Sequence, residues 1–175
     1  LVGSPMCISV ILMTRVFKFA TLPLPAGLTV DPTTPSRALP IYPSPSSVFY
    51  ATPAGEALFA LRKPCHLYTR ITTPTLSAFE WRIAALEGGV GALATASGMA
   101  AVTYTILALA HAGDHVVAAS TIYGGTFNLL KETLPRYGIT TTFVDIENLA
   151  EVEAAIQDNT KLVLIESLGN PLINI

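Results

Sequence analysis

One interruption of an apolar run constrains this chain more than any other feature. Small and apolar residues run from Gly91 to Ala96, Ser97-Gly98 breaks the run, and Met99 to Leu109 then reads as a helix rich in Ala, Leu and Ile. Such a pattern predicts a strand that turns sharply into a helix. The first N–H groups of a helix have no partner inside it and sit at the positive end of its dipole, so Ser97-Gly98-Met99 is a candidate anion cradle. Gly98 has no Cβ to keep a phosphate from the backbone. Taken alone, the plainer account is an ordinary strand-to-helix turn in which the glycine only relieves strain.

The flanking sequence supplies the rest of an alternating pattern. Leu76, Phe79, Ile83 and Leu86 share one helical face, Ser77 and Glu80 have capping-box spacing, and Gly88-Gly89 ends that helix. A strand follows through Leu93, and then the helix after Gly98 runs towards His111. Ala112-Gly113-Asp114 turns the chain into the short apolar strand His115–Ala119, and a loop containing Tyr123-Gly124-Gly125 leads to a helix with Phe127, Leu130 and Leu134 on one face, closed by Gly138. Thr140–Val144 is β-branched and strand-like, Asn148 and Glu151 cap a helix through Ile156, and Leu162–Ile165 is a continuous apolar strand. Strand alternating with helix predicts an α/β fold with a doubly wound, mostly parallel sheet.

Composition narrows the partners. Hydrophobic residues make up 51% of the 175 and charged residues 13%, with a mean hydropathy of +0.53. That shortage of charge predicts surface meant to be covered. A net charge of -2 without a basic cluster excludes nucleic acid as the expected partner. Cys7 and Cys65 form no CxxC pair, and His66, His111 and His115 have no ligand spacing, so neither a disulfide framework nor a metal site is expected. The chain reads as cytoplasmic. Ile8–Met13 is too short to cross a membrane and carries its basic residue, Arg15, on the wrong side for a signal peptide.

The expected organisation is a foreign or unstructured start over 1–15, a proline-rich extended arm over 16–70 and the α/β region over 71–175. Proline at the density of Pro32, Pro35, Pro40, Pro43, Pro45 and Pro53 allows at most the short helix Gly55–Leu61. Ile41, Tyr42, Val48, Phe49, Tyr50, Leu58 and Phe59 make this arm too apolar for a disordered tail.

Ligands of open α/β sheets bind beyond the carboxyl ends of the strands. The residues expected there are Ser97-Gly98-Met99, Ser120 to Tyr123, Asp145, and Glu166 to Asn170. A phosphate cradle, an aromatic face and an amide meeting at one edge suit a flat, phosphorylated aromatic molecule. Each residue also has a bland account: Tyr123 as a half-buried loop aromatic, Asn170 as a turn former before Pro171, Glu166 as a solvated carboxylate. A dinucleotide is the competing ligand, but Ala-Ser-Gly-Met-Ala lacks GxGxxG.

These residues carry a family resemblance. Tyr68-Thr-Arg70, Arg82-Ile-Ala-Ala-Leu-Glu-Gly-Gly89, Ala96-Ser-Gly-Met-Ala-Ala101, Tyr123-Gly-Gly-Thr126 and Glu166-Ser-Leu-Gly-Asn-Pro171 stand in the order seen in the Cys/Met-metabolism family of pyridoxal-phosphate enzymes. Thr121-Ile-Tyr-Gly-Gly-Thr-Phe-Asn-Leu and the Gly-Asn-Pro ending resemble the O-acetylhomoserine sulfhydrylase branch more than the cystathionine lyases. The resemblance implies part of a fold-type I transferase that binds pyridoxal 5'-phosphate. It implies γ-replacement on O-acetylhomoserine by sulfide or a thiol, giving homocysteine, in a homo-oligomer built as a dimer of dimers.

By the same resemblance, Gly98 and Met99 would donate N–H groups to the cofactor phosphate, Tyr123 would stack on the pyridine ring in a catalytic role, and Asn170 would hydrogen-bond the ring's 3′-oxygen. Tyr68 and Arg70 would reach the neighbouring subunit's phosphate. Departures occur at Thr73-Pro-Thr75, where the family usually has Asn-Pro-Thr, and at Pro64-Cys65-His66, where it has a glycine. The family's Schiff-base lysine, pyridine-nitrogen aspartate and substrate-binding arginine would fall beyond Ile175, and Lys18, Lys63, Lys131 and Lys161 match none of these positions. The chain as given is therefore expected to be inactive by itself. Alternatives are a catalytically dead subunit or interaction module of a related enzyme, a cystathionine γ-synthase or γ-lyase type, and a plain nucleotide-binding α/β domain.

Overall fold

A computed structural model describes residues 17–31, 33–48, 52–60, 62, 66, 68–169 and 173. The expectations for 1–15 and for Asn170 lie outside the described residues. The chain forms two compact units, Leu1–Ala94 and Thr95–Ile175. No helix among the described residues is long and apolar enough to cross a membrane.

The first unit contains helices α1 (Thr52–Phe59) and α2 (Pro74–Glu87). Helix α1 begins before the expected Gly55, since proline is tolerated in a first helical turn, where its missing N–H costs nothing. Helix α2 likewise starts earlier than the Ser77–Glu80 spacing predicts. Its N-cap is Thr73 in extended conformation with Pro74 at the first helical position, and no side chain caps it. Glu80 has a different task, accepting the Ala94 N–H at 2.8 Å. Gly88 ends α2 in the left-handed region at φ 66°.

The proline-rich segment is more structured than its composition predicts. Turns closed by Thr21 N–H to Lys18 C=O, Ala26 N–H to Leu22 C=O and Leu28 N–H to Pro25 C=O fold its start. Arg82 then donates its Nε to the Ala26 carbonyl at 2.9 Å, and the Tyr42 N–H donates to Thr75 Oγ1 at 3.0 Å. Gly27, at φ 71°, passes so close to the Ala78 carbonyl that any Cβ would collide with it. Asp31, holding the Thr34 N–H and hydroxyl, has its carboxyl below the usual range because both bonds favour the anion.

The second unit holds helix α3 (Gly98–Leu109), strand β1 (His115–Ala119), helix α4 (Gly124–Asn128), strand β2 (Thr140–Val144), helix α5 (Leu149–Ala155) and strand β3 (Thr160–Leu164). All three strands are parallel, in the order β2-β1-β3, so β1 is central. Every residue of β1 is buried, as expected for an apolar strand with neighbours on both sides. By contrast β3 alternates, with Val163 44% exposed, so the continuous apolar run read from the sequence has only one covered face. The strand expected through Leu93 pairs with nothing among the described residues.

Ile106 of α3 and its C-cap Ala110, Val116, Ala118 and Ala119 of β1, and Ile122, Leu130, Leu134 and Ile139 form one core. Burial of a side chain such as Leu130 is worth about 1.5–3 kcal/mol. Phe127 packs on Phe143 with centroids 4.4 Å apart and ties α4 to β2. The single helix expected over this stretch changes pitch twice, becoming π-helical over Leu129–Thr133 and 3-10 over Leu134–Tyr137. Pro135 explains this, because it cannot donate back to Lys131 and its ring crowds that carbonyl. Asn148 accepts the Glu151 N–H as the capping pattern predicts, but the Glu151 carboxylate takes the Asp145 N–H instead of closing the box.

At the amino edge of the sheet, His115 links all three strands. Its Nδ1 lies 2.8 Å from Thr160 Oγ1 and its Nε2 lies 2.9 Å from Thr142 Oγ1, with the ring buried. Burial disfavours the cation and lowers its pKa below the ordinary 6.5. The unfolded chain therefore takes up a proton that the folded chain refuses. Stability from this group is complete above pH about 6.5 and is lost as pH falls towards the folded value. His66, also partly buried, adds a contribution of the same sign. Titrated by NMR, the His115 ring should show a midpoint below 6.5, and denaturant unfolding should show stability falling as pH drops through that window.

Candidate functional site

Helix α3 presents an open N-terminus. Ser97, extended at φ -161° and ψ 161°, accepts the Ala100 N–H on its side chain at 3.1 Å, and its carbonyl accepts the Ala101 N–H at 3.1 Å. This capping leaves the Gly98 and Met99 N–H groups without an acceptor among the described residues. The first turn carries no acidic side chain. A Cβ added at Gly98 would meet nothing within 4 Å, so the backbone there is open on its Cβ side. Two unspent N–H groups at the positive end of a 12-residue helix suit an anion of phosphate size.

Met99 connects this turn to the loop that follows β1. Thr126, buried in α4, directs its hydroxyl at Met99 Sδ at 3.8 Å. The Tyr123 ring lies across Gly125, where an added Cβ would stand 2.6 Å from Tyr123 Cε1 and 3.2 Å from Met99 Sδ. Tyr123 stays 48% exposed and offers aromatic surface to a ligand. Its N–H donates to both Glu166 carboxylate oxygens at 3.1 Å. The parallel pairing of β1 with β3 carries Glu166 to this loop, because both strands end at the same edge. The cradle, the sulfur and the ring thus share one patch.

Tyr68 and Arg70 belong to the first unit. Tyr68 forms an isolated antiparallel bridge with Ser46, and the Arg70 guanidinium lies 5.3 Å from the centroid of the Tyr68 ring, exposed. Stacking of this kind orients a guanidinium while its N–H edge stays open. Asp145, expected at the site, instead closes the turn after β2 by accepting the Glu147 N–H at 3.1 Å. Lys131 extends over the Phe127 ring, and Lys161 lies 3.9 Å from Asp114 at the amino edge. Sequence patterns did not disclose what Gly125, Thr126 and Glu166 do. The one available signal is that Gly125 directly follows another glycine, and the two open helix α4.

Gly125 allows a direct test of this geometry. Alanine is ordinarily a better helix former than glycine, yet at this first-turn position its methyl would occupy the place of the Tyr123 ring. Because the ring is half exposed it should give way. Gly125→Ala should shift the Tyr123 ring resonances while unfolding stability changes by less than about 1 kcal/mol. Unmoved resonances in the folded variant would place the ring elsewhere.

Comparison with known proteins connects this geometry to a family. Residues 20–175 match the family described as Cys/Met metabolism PLP-dependent enzymes. The chain is 49% identical over 157 residues to homocysteine synthase of Schizosaccharomyces pombe and 45% identical over 162 residues to O-acetyl-L-homoserine sulfhydrylase of Leptospira meyeri. These alignments cover 90% and 93% of the chain and 37% of each relative, so the chain spans little more than a third of their length. A crystal structure described as an O-acetylhomoserine (thiol)-lyase from Campylobacter jejuni, with a pyridoxyl-lysine monophosphate in its own chain, superposes with a TM-score of 0.87 at 38% identity, covering 91% of this chain and 39% of that one. The doubly wound α/β architecture is that of the fold-type I enzymes. With the match running over nearly all of its residues, the chain belongs to the Cys/Met-metabolism family of pyridoxal-phosphate-dependent enzymes.

Proposed function

We propose that this chain supplies the phosphate cradle and ring platform of a cytoplasmic enzyme that performs γ-replacement on O-acetylhomoserine, exchanging acetate for sulfide or a thiol and giving homocysteine. The observation that carries this reading is the pair of open N–H groups at Gly98 and Met99, joined through Met99 Sδ to the half-exposed Tyr123 ring. These residues fit pyridoxal 5'-phosphate, an anion attached to a flat ring. When bound, that cofactor supplies an electron sink for the substrate's carbanions. Gly98 and Met99 bind the phosphate, Tyr123 stacks on the ring, and Asn170 hydrogen-bonds its 3′-oxygen. The choice of O-acetylhomoserine rests on the activities named for the relatives.

Tyr68 and Arg70 are assigned to the phosphate of a neighbouring subunit in a homo-oligomer. The Tyr68 ring under the Arg70 guanidinium supports this role, since it leaves the planar N–H edge free for two phosphate oxygens. In a protein of the relatives' full length, Arg70→Ala should weaken cofactor retention. Mixed with a variant lacking the Schiff-base lysine, it should regenerate some active sites. No gain on mixing, with subunit exchange confirmed, removes the assignment in trans.

The cradle is tested separately by Gly98→Val. The new side chain has room within the fold, so stability should hold, but it would stand where a phosphate must approach. In a protein of the relatives' full length, affinity for pyridoxal phosphate, measured by equilibrium dialysis, should fall by at least about 1–2 kcal/mol, the size of one or two lost charge-assisted hydrogen bonds. Unchanged affinity in a folded variant would move the phosphate elsewhere.

A further inference from the structure

At the same sheet edge as the loop carrying Tyr123 stands a carboxylate. Glu166, two residues beyond the end of β3, places both oxygens at 3.1 Å from the Tyr123 N–H. A free carboxylate at this edge would repel the anion that Gly98 and Met99 are arranged to receive. Here its charge is directed at a backbone donor. Tyr123 is the N-cap residue of α4, at the positive end of that helix, and no side chain of its own caps it. A carboxylate is favoured at such a position.

The consequence reaches the ring. Tyr123 has no backbone ladder partner, and its side chain is half exposed. Three features bear on its position: the absence of a Cβ at Gly125 beneath the ring, the Glu166 bond to its N–H, and the Phe127 N–H that donates to its carbonyl at 2.9 Å. The first clears space; the other two hold the backbone from which the side chain departs. Glu166 follows β3 and lies 43 residues further along the chain, so the bond ties the loop after β1 to the segment after β3.

We propose that Glu166 is the positioning residue that sets the Tyr123 ring over the cradle, acting through the Tyr123 N–H without touching the ligand. The ligand side of this inference rests on the cofactor reading above, whereas the anchoring bond does not. Glu166→Ala removes the acceptor, and Glu166→Gln keeps one oxygen for the same N–H, which separates loss of the bond from loss of the charge.

Two measurements on the full chain test it. Amide hydrogen exchange at Tyr123 should speed up at least tenfold in Glu166→Ala and less than threefold in Glu166→Gln, with the amides of β1 unchanged. Equilibrium dialysis should show pyridoxal phosphate bound about tenfold more weakly by Glu166→Ala, near wild type by Glu166→Gln, and inorganic phosphate bound equally by all three. Unchanged exchange at Tyr123 overturns the inference, as does equal weakening of both probes, which would make Glu166 a general support of the fold. If wild type binds neither probe, the cofactor reading fails, and hydrogen exchange alone then upholds or overturns the anchor.

Discussion

The second unit depends on how the backbone groups of β1 are satisfied. All five residues of this strand are buried, so none of its N–H or C=O groups can turn to water. Parallel strands on both sides take them: β2 from His115↔Thr140 to Ala119↔Val144, and β3 from His115↔Thr160 to Ala118↔Leu164. Because the pairing is parallel, every strand ends at the same edge. The loop after β1, the turn after β2 and the residues after β3 are neighbours for that reason. Glu166 reaches Tyr123 as a consequence of how β1 was paired.

The two edges then serve different ends. At the amino edge, the buried His115 ring joins the partly exposed hydroxyls of Thr142 and Thr160 and so ties the three strands together. At the carboxyl edge, polar groups remain unspent: the Gly98 and Met99 donors and the exposed part of the Tyr123 ring. Open α/β sheets take their ligands beyond the carboxyl ends of the strands, the end at which these donors stand. Ser97 sharpens this contrast by capping Ala100 while leaving the two donors before it free.

Much of this was legible in the chain. The turn at Ser97-Gly98, the helix after it, the buried strand at His115–Ala119 and the stop at Gly138 follow from short-range chemistry: a capping hydroxyl, an unbroken apolar run, a glycine able to take φ 77°. Errors arose where long-range contacts or proline outweighed local pattern. Ser77 and Glu80 have the spacing of a cap, yet Thr73-Pro74 starts the helix earlier and Glu80 serves Ala94. Phe127, Leu130 and Leu134 read as one helix, but Pro135 forces a change of pitch that leaves those side chains facing the core. The apolar run after Thr160 could not disclose that β3 has only one covered face.

The sequence by itself determined the three paired strands, the helices between them and the residue types at each strand end, though not the strand expected through Leu93, because these depend on neighbours within a few positions. It also carried, in five short motifs, the mark of a pyridoxal-phosphate family. Only the tertiary structure decided that Glu166 spends its charge on the Tyr123 N–H, that Gly125 is needed beneath an aromatic ring, and that Thr126 faces the sulfur of Met99. The Thr126–Met99 and Glu166–Tyr123 contacts join residues 27 and 43 positions apart, and the second exists because parallel pairing about one buried strand brings the strand ends together. No local pattern encodes such a distance.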